Sequence, residues 1–516
     1  MSRFRKPLTL LFIVIVFCAT VFSSPALQSN HMAFANAASS TTLNPIQQEN
    51  QLPGTPDWQI VKQPPADTTN HTHDQGIEGY AMQTSVMVGS TISFAVNTVT
   101  SSFDANIYRL GWYQGIGARL MQSITNIPGK SFPVPAPQAK TGLVAANWPA
   151  AFSLSVPSNW VSGMYIARLT DTNGEQIYVP FVVKSAVKSD LVLVHSANTD
   201  EAYNIWGGTS LYQDFTQKLP NGRAYKVSFD RPFYYNQGMG NIFNWEYPMV
   251  RWLEQNGYNV SYLSDEDLNN SKINPLLGYK GIVIAGHSEY WSMPMRNNLQ
   301  KAINSGVSLA MFAANDIYWQ IRYAASASQV PTRVIVCYKD ASLDTLSAKQ
   351  PALTTIQFRN APVSKPEQSL LGSTYNSFFS GNGYPWVVNA ASSWVFTSTN
   401  LHNGDSLPGL VGYEFDEVST QYPSPKTIVG ADGVNGVEIL AASPVTDIYS
   451  QQAIANTTLY TATSGARVVN MGTIQWAWGL DGWGASYNAQ PSLVNAAAQQ
   501  ITTNILNNFV TGTIPA

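Results

Sequence analysis

Charge is scarce in this 516-residue chain. Asp, Glu, Lys and Arg make up 11% of it, well under the roughly 25% usual in soluble domains. Ser, Thr, Asn and Gln supply the polar surface instead, a habit of exported proteins. No run of Lys or Arg follows the N-terminus and the net charge is −3. The basic footprint that phosphate binding requires is therefore missing, which argues against nucleic acid as a partner. Cysteine is scarcer still, with Cys18 and Cys337 alone, so no disulfide framework exists. Cys337, in RVIVCYK, reads as a small buried core residue. Stability must come from core size, and 44% hydrophobic with 12% aromatic residues can supply it. Beyond Phe22 no segment is long and apolar enough to span a bilayer.

What is present begins with Arg3, Arg5 and Lys6, an apolar run from Leu8 to Phe22, and small residues at Ala33, Ala35 and Ala37. These are the charged region, apolar region and A-x-A-like cleavage site of a signal peptide over 1–37, which predicts a secreted or extracytoplasmic protein without a membrane span after cleavage. Residues 38–75 are rich in Ser, Thr, Asn, Gln and Pro and read as a flexible linker. His71 and His73, in NHTHD, read as solvated linker residues rather than a metal site.

The remainder exceeds one ordinary domain. Over 76–184, stretches such as TISFAVNTV and GEQIYVPFVVK alternate apolar and polar residues between Gly, Pro and Asn turns, the pattern of an antiparallel immunoglobulin-like β-sandwich. From 188 to 516 the rhythm is strand, helix, strand. DLVLVHS and KGIVIAG are continuous apolar strands, as in sheets covered on both faces. WEYPMVRWLEQNG is an amphipathic helix stopped by Gly257, and Ser292 caps the helix MPMRNNLQKAINSG. VSLAMFA and ARVVNMG add strands, and SLVNAAAQQITTNILNNF closes the chain as a helix. The expected fold is mixed β and α/β: the sandwich, then an open, largely parallel, glutamine-amidotransferase-like α/β domain with a strand-rich insertion at about 331–430.

In open α/β sheets, ligands bind beyond the carboxyl ends of the strands. Three such ends carry unusual residues: His195 before NTDEAYNIWGGTSLY, then His287-Ser288-Glu289, then Asn315-Asp316. GHSEY approaches the nucleophile elbow G-x-S-x-G with Ser288 in the nucleophile position, but Tyr290 replaces the Gly that permits the tight turn. His402 would be the base of that serine-hydrolase alternative. A glycosidase needs two facing carboxylates, for which Glu289 with Asp316 or Glu246 are the candidates. Glutamine-amidotransferase chemistry would need a Cys after such a strand, and none is there.

EAYNIWGGTSLY, WEYPMVRWLEQNGYNVSYLSDEDL, IVIAGHSEYW and AMFAANDIYW, in that order, resemble the core of the N,N-dimethylformamidase large (beta) subunit family. The resemblance covers most of 77–510. It implies a mononuclear iron, Fe(III) in character, held by two Tyr and one Glu, hydrolysing a carbon–nitrogen (amide) bond. By motif, the metal ligands fall on Glu289, Tyr203 and Tyr212, and His287 matches a histidine that would act as acid/base or orienting group. With Asn315 from the strand end, His287 and Glu289 make the candidate catalytic set. Hard phenolate and carboxylate oxygens suit a hard cation. Against the family enzyme, this chain is expected to be exported and to do without the lectin-like insertion and the small partner subunit. Trp206, Gly207, Gly208 and Trp291 are expected to build a different pocket wall, suiting another small-molecule or polar extracellular substrate. The alternative is a non-enzymatic carbohydrate- or wall-binding protein that retains the fold. No motif specifies an oligomeric state.

Overall fold

The computed structural model describes residues 42–65, 76–381, 383–428 and 436–514. The expected signal peptide, His71 and His73 lie outside them. Among the described residues no helix is long and apolar enough to cross a membrane.

The chain is mixed and strand-rich, with several sheets and a few helices. Between 77 and 184, a three-stranded sheet (Ile77–Ala81, Thr91–Thr98, Ala150–Ser155) faces a five-stranded one built around Ser102–Leu110, Gly163–Asp171 and Gln176–Lys184. Alternation puts Ile92, Phe94 and Val96 of the first sheet against Phe103, Ile107 and Phe181 of the second in one buried cluster. Phe94 stacks on Phe152 with centroids 4.8 Å apart.

The seven-stranded sheet positions the site. Five parallel strands, Leu191–His195, Val260–Ser264, Gly281–Gly286, Ser308–Ala313 and Arg467–Asn470, are followed by two antiparallel ones, Gln452–Thr461 and Glu438–Thr446. Every strand residue of GIVIAG and SLAMFA is buried, because alternate side chains serve two cores. Leu193, Val283 and Phe312 pack with the helices Tyr247–Gln255 and Ala496–Thr511, whereas Val194, Ile284 and Met311 pack with Met293–Asn304. Ser292 caps that last helix by accepting from the Met295 N–H. In chain order the parallel strands run 2-1-3-4-5 across the sheet. This doubly wound order has its switch point between Leu191–His195 and Gly281–Gly286, where a crevice opens beyond the carboxyl ends.

The structure revises one sequence expectation. The described part of the expected linker is ordered: Asn44 caps a short helix, Pro45–Asn50, and donates through Nδ2 to Gly257 O at 2.8 Å. Trp58 is 1% exposed, stacks on Trp483 at 5.4 Å and donates to Ile116 O. The polar composition concealed two buried anchors, Ile46 and Trp58, which pin the segment to the core. Within 331–430, the expected strand-rich insertion, Thr374–Phe378 and Glu414–Glu417 pair antiparallel as a two-stranded sheet. Phe415 bridges to Thr473 beside the main sheet.

Candidate active site

Both edges of the switch point feed one cavity. After Leu191–His195 comes the helix Ala197–Tyr203. Glu246 anchors its start, accepting from the Ser196 N–H at 2.9 Å and pairing with His195 Nδ1 at 2.8 Å. Burial pulls the His195 imidazole down, but Glu246 outweighs it and lifts the group to about 9. Glu246 is thereby committed to His195 and does not face Glu289 as a glycosidase pair would.

The loop between Tyr203 and Tyr212 is moulded around a buried guanidinium. Arg231 donates from Nε to Glu201 Oε1 at 2.5 Å, from Nη1 to the carbonyls of Trp206 and Thr209 at 2.9 Å each, and from Nη2 to Asn204 O at 2.9 Å. Gly207, at φ +77°, lies so close to Val144 that an added Cβ would sit 2.4 Å from Cγ1. Leu211 N–H donates to Ala202 O at 3.0 Å. The two tyrosine rings therefore stack with centroids 4.4 Å apart and planes 25° apart. Arg231→Met should cost about 3–5 kcal/mol through the stranded Glu201. A melting curve should show the lowered Tm.

On the other edge, the strand ends at Gly286, whose φ is +80° and where a Cβ would meet Trp245 Cβ at 2.3 Å. Residues 287–289 then leave the ladder and are stitched in place. Glu289 N–H donates to Thr199 Oγ1 at 2.9 Å, and Ser288 N–H donates to Asp316 Oδ1 at 3.0 Å. Glu289 O accepts from the N–H groups of Tyr318 and Trp319. Two residues in this support, Asn315 (φ +55°) and Ile317 (φ +52°), hold backbone conformations that a β-branched residue rarely adopts.

The three oxygen-bearing side chains implied by resemblance converge here. Tyr203 OH donates to Glu289 Oε2 at 2.9 Å and Tyr212 OH donates to Oε1 at 2.6 Å. Burial and then Glu289 push both phenols well above their usual range. Glu289 is 2% exposed, and burial raises its carboxyl against the pull of His287 and Lys339. Among the described residues no group of three His, Cys, Asp or Glu is arranged to hold a metal ion. A metal here therefore depends on phenol oxygens. The donor set fits: two phenol protons already point at one carboxylate, and a hard cation can replace them.

His287 stands between two carboxylates, Nε2 lying 3.1 Å from Glu414 Oε2 and 3.4 Å from Glu289 Oε2 without an aligned hydrogen bond to either. Burial lowers it, but Glu414, then Glu289 and Asp316, bring it up to about 9. Asn315 donates from Nδ2 to Glu414 Oε2 at 2.8 Å, so it positions Glu414. Asp316 is pushed well above the carboxylate range by burial and by Asp416.

Glu414 and Lys339 escaped the sequence reading. The ammonium of Lys339 lies 3.4 Å over the Tyr212 ring centroid, an arrangement that favours the phenolate. The acidic, aromatic GYEFDEV was the available signal for Glu414, but it lies in the segment read as a strand-rich insertion. Other expectations are corrected. Ser288 is 1% exposed and its Oγ accepts from Trp291 Nε1 at 2.9 Å, while the His402 side chain is 86% exposed and pairs with Asp405. No Ser–His pair forms. Trp206 and Trp291 are buried structural residues, Trp206 donating to Glu78 Oε1. The wall is made instead by Phe233, Tyr235 and Tyr413, around a cavity of about 440 Å³ that also exposes Tyr203, Tyr212 and His287.

Residues 104–491 match the family described as N,N-dimethylformamidase beta subunit-like, C-terminal. Two curated relatives, the N,N-dimethylformamidase beta subunits of Alcaligenes sp and Paracoccus aminophilus, are each 21% identical over 430 residues, covering 70% of this chain and 54% of theirs. The chain spans about half the length of these relatives. Among solved structures, a superoxide reductase (neelaredoxin) from Ignicoccus hospitalis aligns with 22% of this chain and 80% of its own at 11% identity. Its TM-score of 0.14 carries no argument. With three quarters of its length inside the family match, this chain belongs to the N,N-dimethylformamidase beta subunit-like, C-terminal family.

Proposed function

We propose that this chain is an exported, metal-dependent hydrolase of carbon–nitrogen amide bonds. The observation that carries the reading is the convergence of Tyr203, Tyr212 and Glu289 oxygens beside the His287–Glu414 pair, at a cavity on the switch point of the sheet. Tyr203, Tyr212 and Glu289 would hold the ion, iron by family resemblance. Bound there, a ferric ion supplies a Lewis acid for the carbonyl and acidifies water.

The chain's own residues account for the proton traffic. Glu414 Oε2, held by Asn315, takes a proton from the attacking water as the water oxygen adds to the carbonyl carbon. The carbon–nitrogen bond then breaks, and the departing nitrogen takes a proton from His287 Nε2. Deprotonated His287 recovers a proton from Glu414 across the 3.1 Å contact. Acid and amine leave, and the pair is reset. The two facing N-terminal sheets are read as an immunoglobulin-like sandwich that buttresses the tyrosine loop through Glu78 and Val144, and the seven-stranded sheet as an amidotransferase-like domain.

Elemental analysis of the purified chain tests the reading. Iron near one per chain, with the visible phenolate-to-iron colour, and release of amine from simple amides is the expected result. A colourless, metal-free protein that cannot be loaded with iron would reject it and leave the wall-binding alternative.

A further inference from the structure

We infer that the cavity takes amides bearing a cationic amine, and that the Asp200 carboxylate receives the ammonium. The inference rests on the amide-hydrolase reading of the same site and names its substrate class. Asp200 is 5% exposed and lines the cavity. Its Oδ1 accepts from the Asn241 N–H at 2.9 Å, but Oδ2 has no hydrogen-bond partner among the described residues. A buried carboxylate oxygen without a partner is costly, and such groups call for an explanation. Burial raises the Asp200 carboxyl to about 7 against the pull of His195, which is itself paired to Glu246, so the group is ionised at pH 8. Gly240, at φ +57°, keeps room beside the carboxylate, for a Cβ there would lie 2.8 Å from Asp200 Cγ.

Three further features point to a cation. The cavity surface presents the rings of Phe233, Tyr235 and Tyr413, with His287 as its one basic side chain, and aromatic faces attract ammonium groups. Asp200 precedes Tyr203 by three residues on one helix, so the two side chains share a face with Cβ atoms about 5–6 Å apart. A short chain separating the amide from an ammonium would span that gap. The volume of about 440 Å³ is in the range of pockets that enclose sizeable ligands and far exceeds what dimethylformamide fills.

The test compares N-acetylputrescine with N-pentylacetamide, amides of equal length that differ in the terminal ammonium. With the iron-loaded full chain at pH 8, the cationic amide should have the higher kcat/KM by about tenfold or more. Asp200→Asn, which keeps an acceptor for the Asn241 N–H, should bring the ratio close to one, chiefly through KM. Equal kcat/KM for both amides in the wild type overturns the inference without any variant and leaves the hydrolase reading intact. If neither amide is hydrolysed, calorimetric binding of the two carries the same comparison. Preferential binding of the cation without turnover upholds the Asp200 site and removes the hydrolase reading, whereas binding of neither removes both.

Discussion

Glu289→Gln is expected to leave a folded protein without iron, without visible colour and without turnover. Both phenols spend their protons on this one carboxylate, at 2.9 and 2.6 Å, and a metal can displace those protons only if the group holding them is itself an anionic ligand. Gln preserves the volume and one acceptor oxygen but removes the charge, so metal content should fall below about a tenth of wild type. The variant should not melt below the metal-free wild type. Burial already works against the ionised carboxylate, which is why its proton is held more tightly than usual, and a neutral amide relieves that cost. Metal analysis, absorbance and a melting curve on one preparation read all three. Normal iron and colour in Glu289→Gln would remove Glu289 from the ligand set.

Glu414→Gln should retain iron and colour and lose about 10²–10⁴-fold in kcat. Glu414 has no contact with Tyr203 or Tyr212 among the bonds described, so the three-oxygen set survives its loss. What disappears is the acceptor facing His287 Nε2 at 3.1 Å and Asn315 Nδ2 at 2.8 Å. The substituted amide would turn a donor toward a donor, and the attacking water would lose its base. Asn315→Ala should reproduce a milder form of the defect, because it frees Glu414 without deleting it. Unchanged kcat in Glu414→Gln would confine the residue to a structural role. Loss of iron would make it a ligand.

Periodicity and capping made much of the scaffold legible in the chain itself. GIVIAG and SLAMFA read as fully buried strands because both faces of the sheet are covered, and the two hydrophobic cores on either side bear this out. Ser292 read as a cap because the hydroxyl and the N–H three residues on are close neighbours in the chain. His287, Glu289 and Asn315 were nameable because strand ends are local, whereas Tyr203 and Tyr212 were implied by the family resemblance. Glu414 was not, since its partner Asn315 lies 99 residues earlier and nothing in GYEFDEV states where that strand will pair. Trp58 was hidden for a similar reason. A tryptophan in a polar, Pro-bearing stretch looks solvated until Trp483 and Phe243 close around it.

By itself, then, the sequence determined the family, the alternation of strands and helices, and the residues that leave the strand ends, because each is encoded within a turn or two of chain. Tertiary structure alone decided that Arg231 draws the loop between Tyr203 and Tyr212 into a stack, that Lys339 lies over one of those rings, and that Glu414 reaches His287 from the far hairpin. It also decided that Asp200 lines the cavity while its buried Oδ2 has no hydrogen-bond partner among the described residues. Each of these depends on which strand neighbours which and how closely two backbones approach. Burial sets the electrostatics only after the chain has folded.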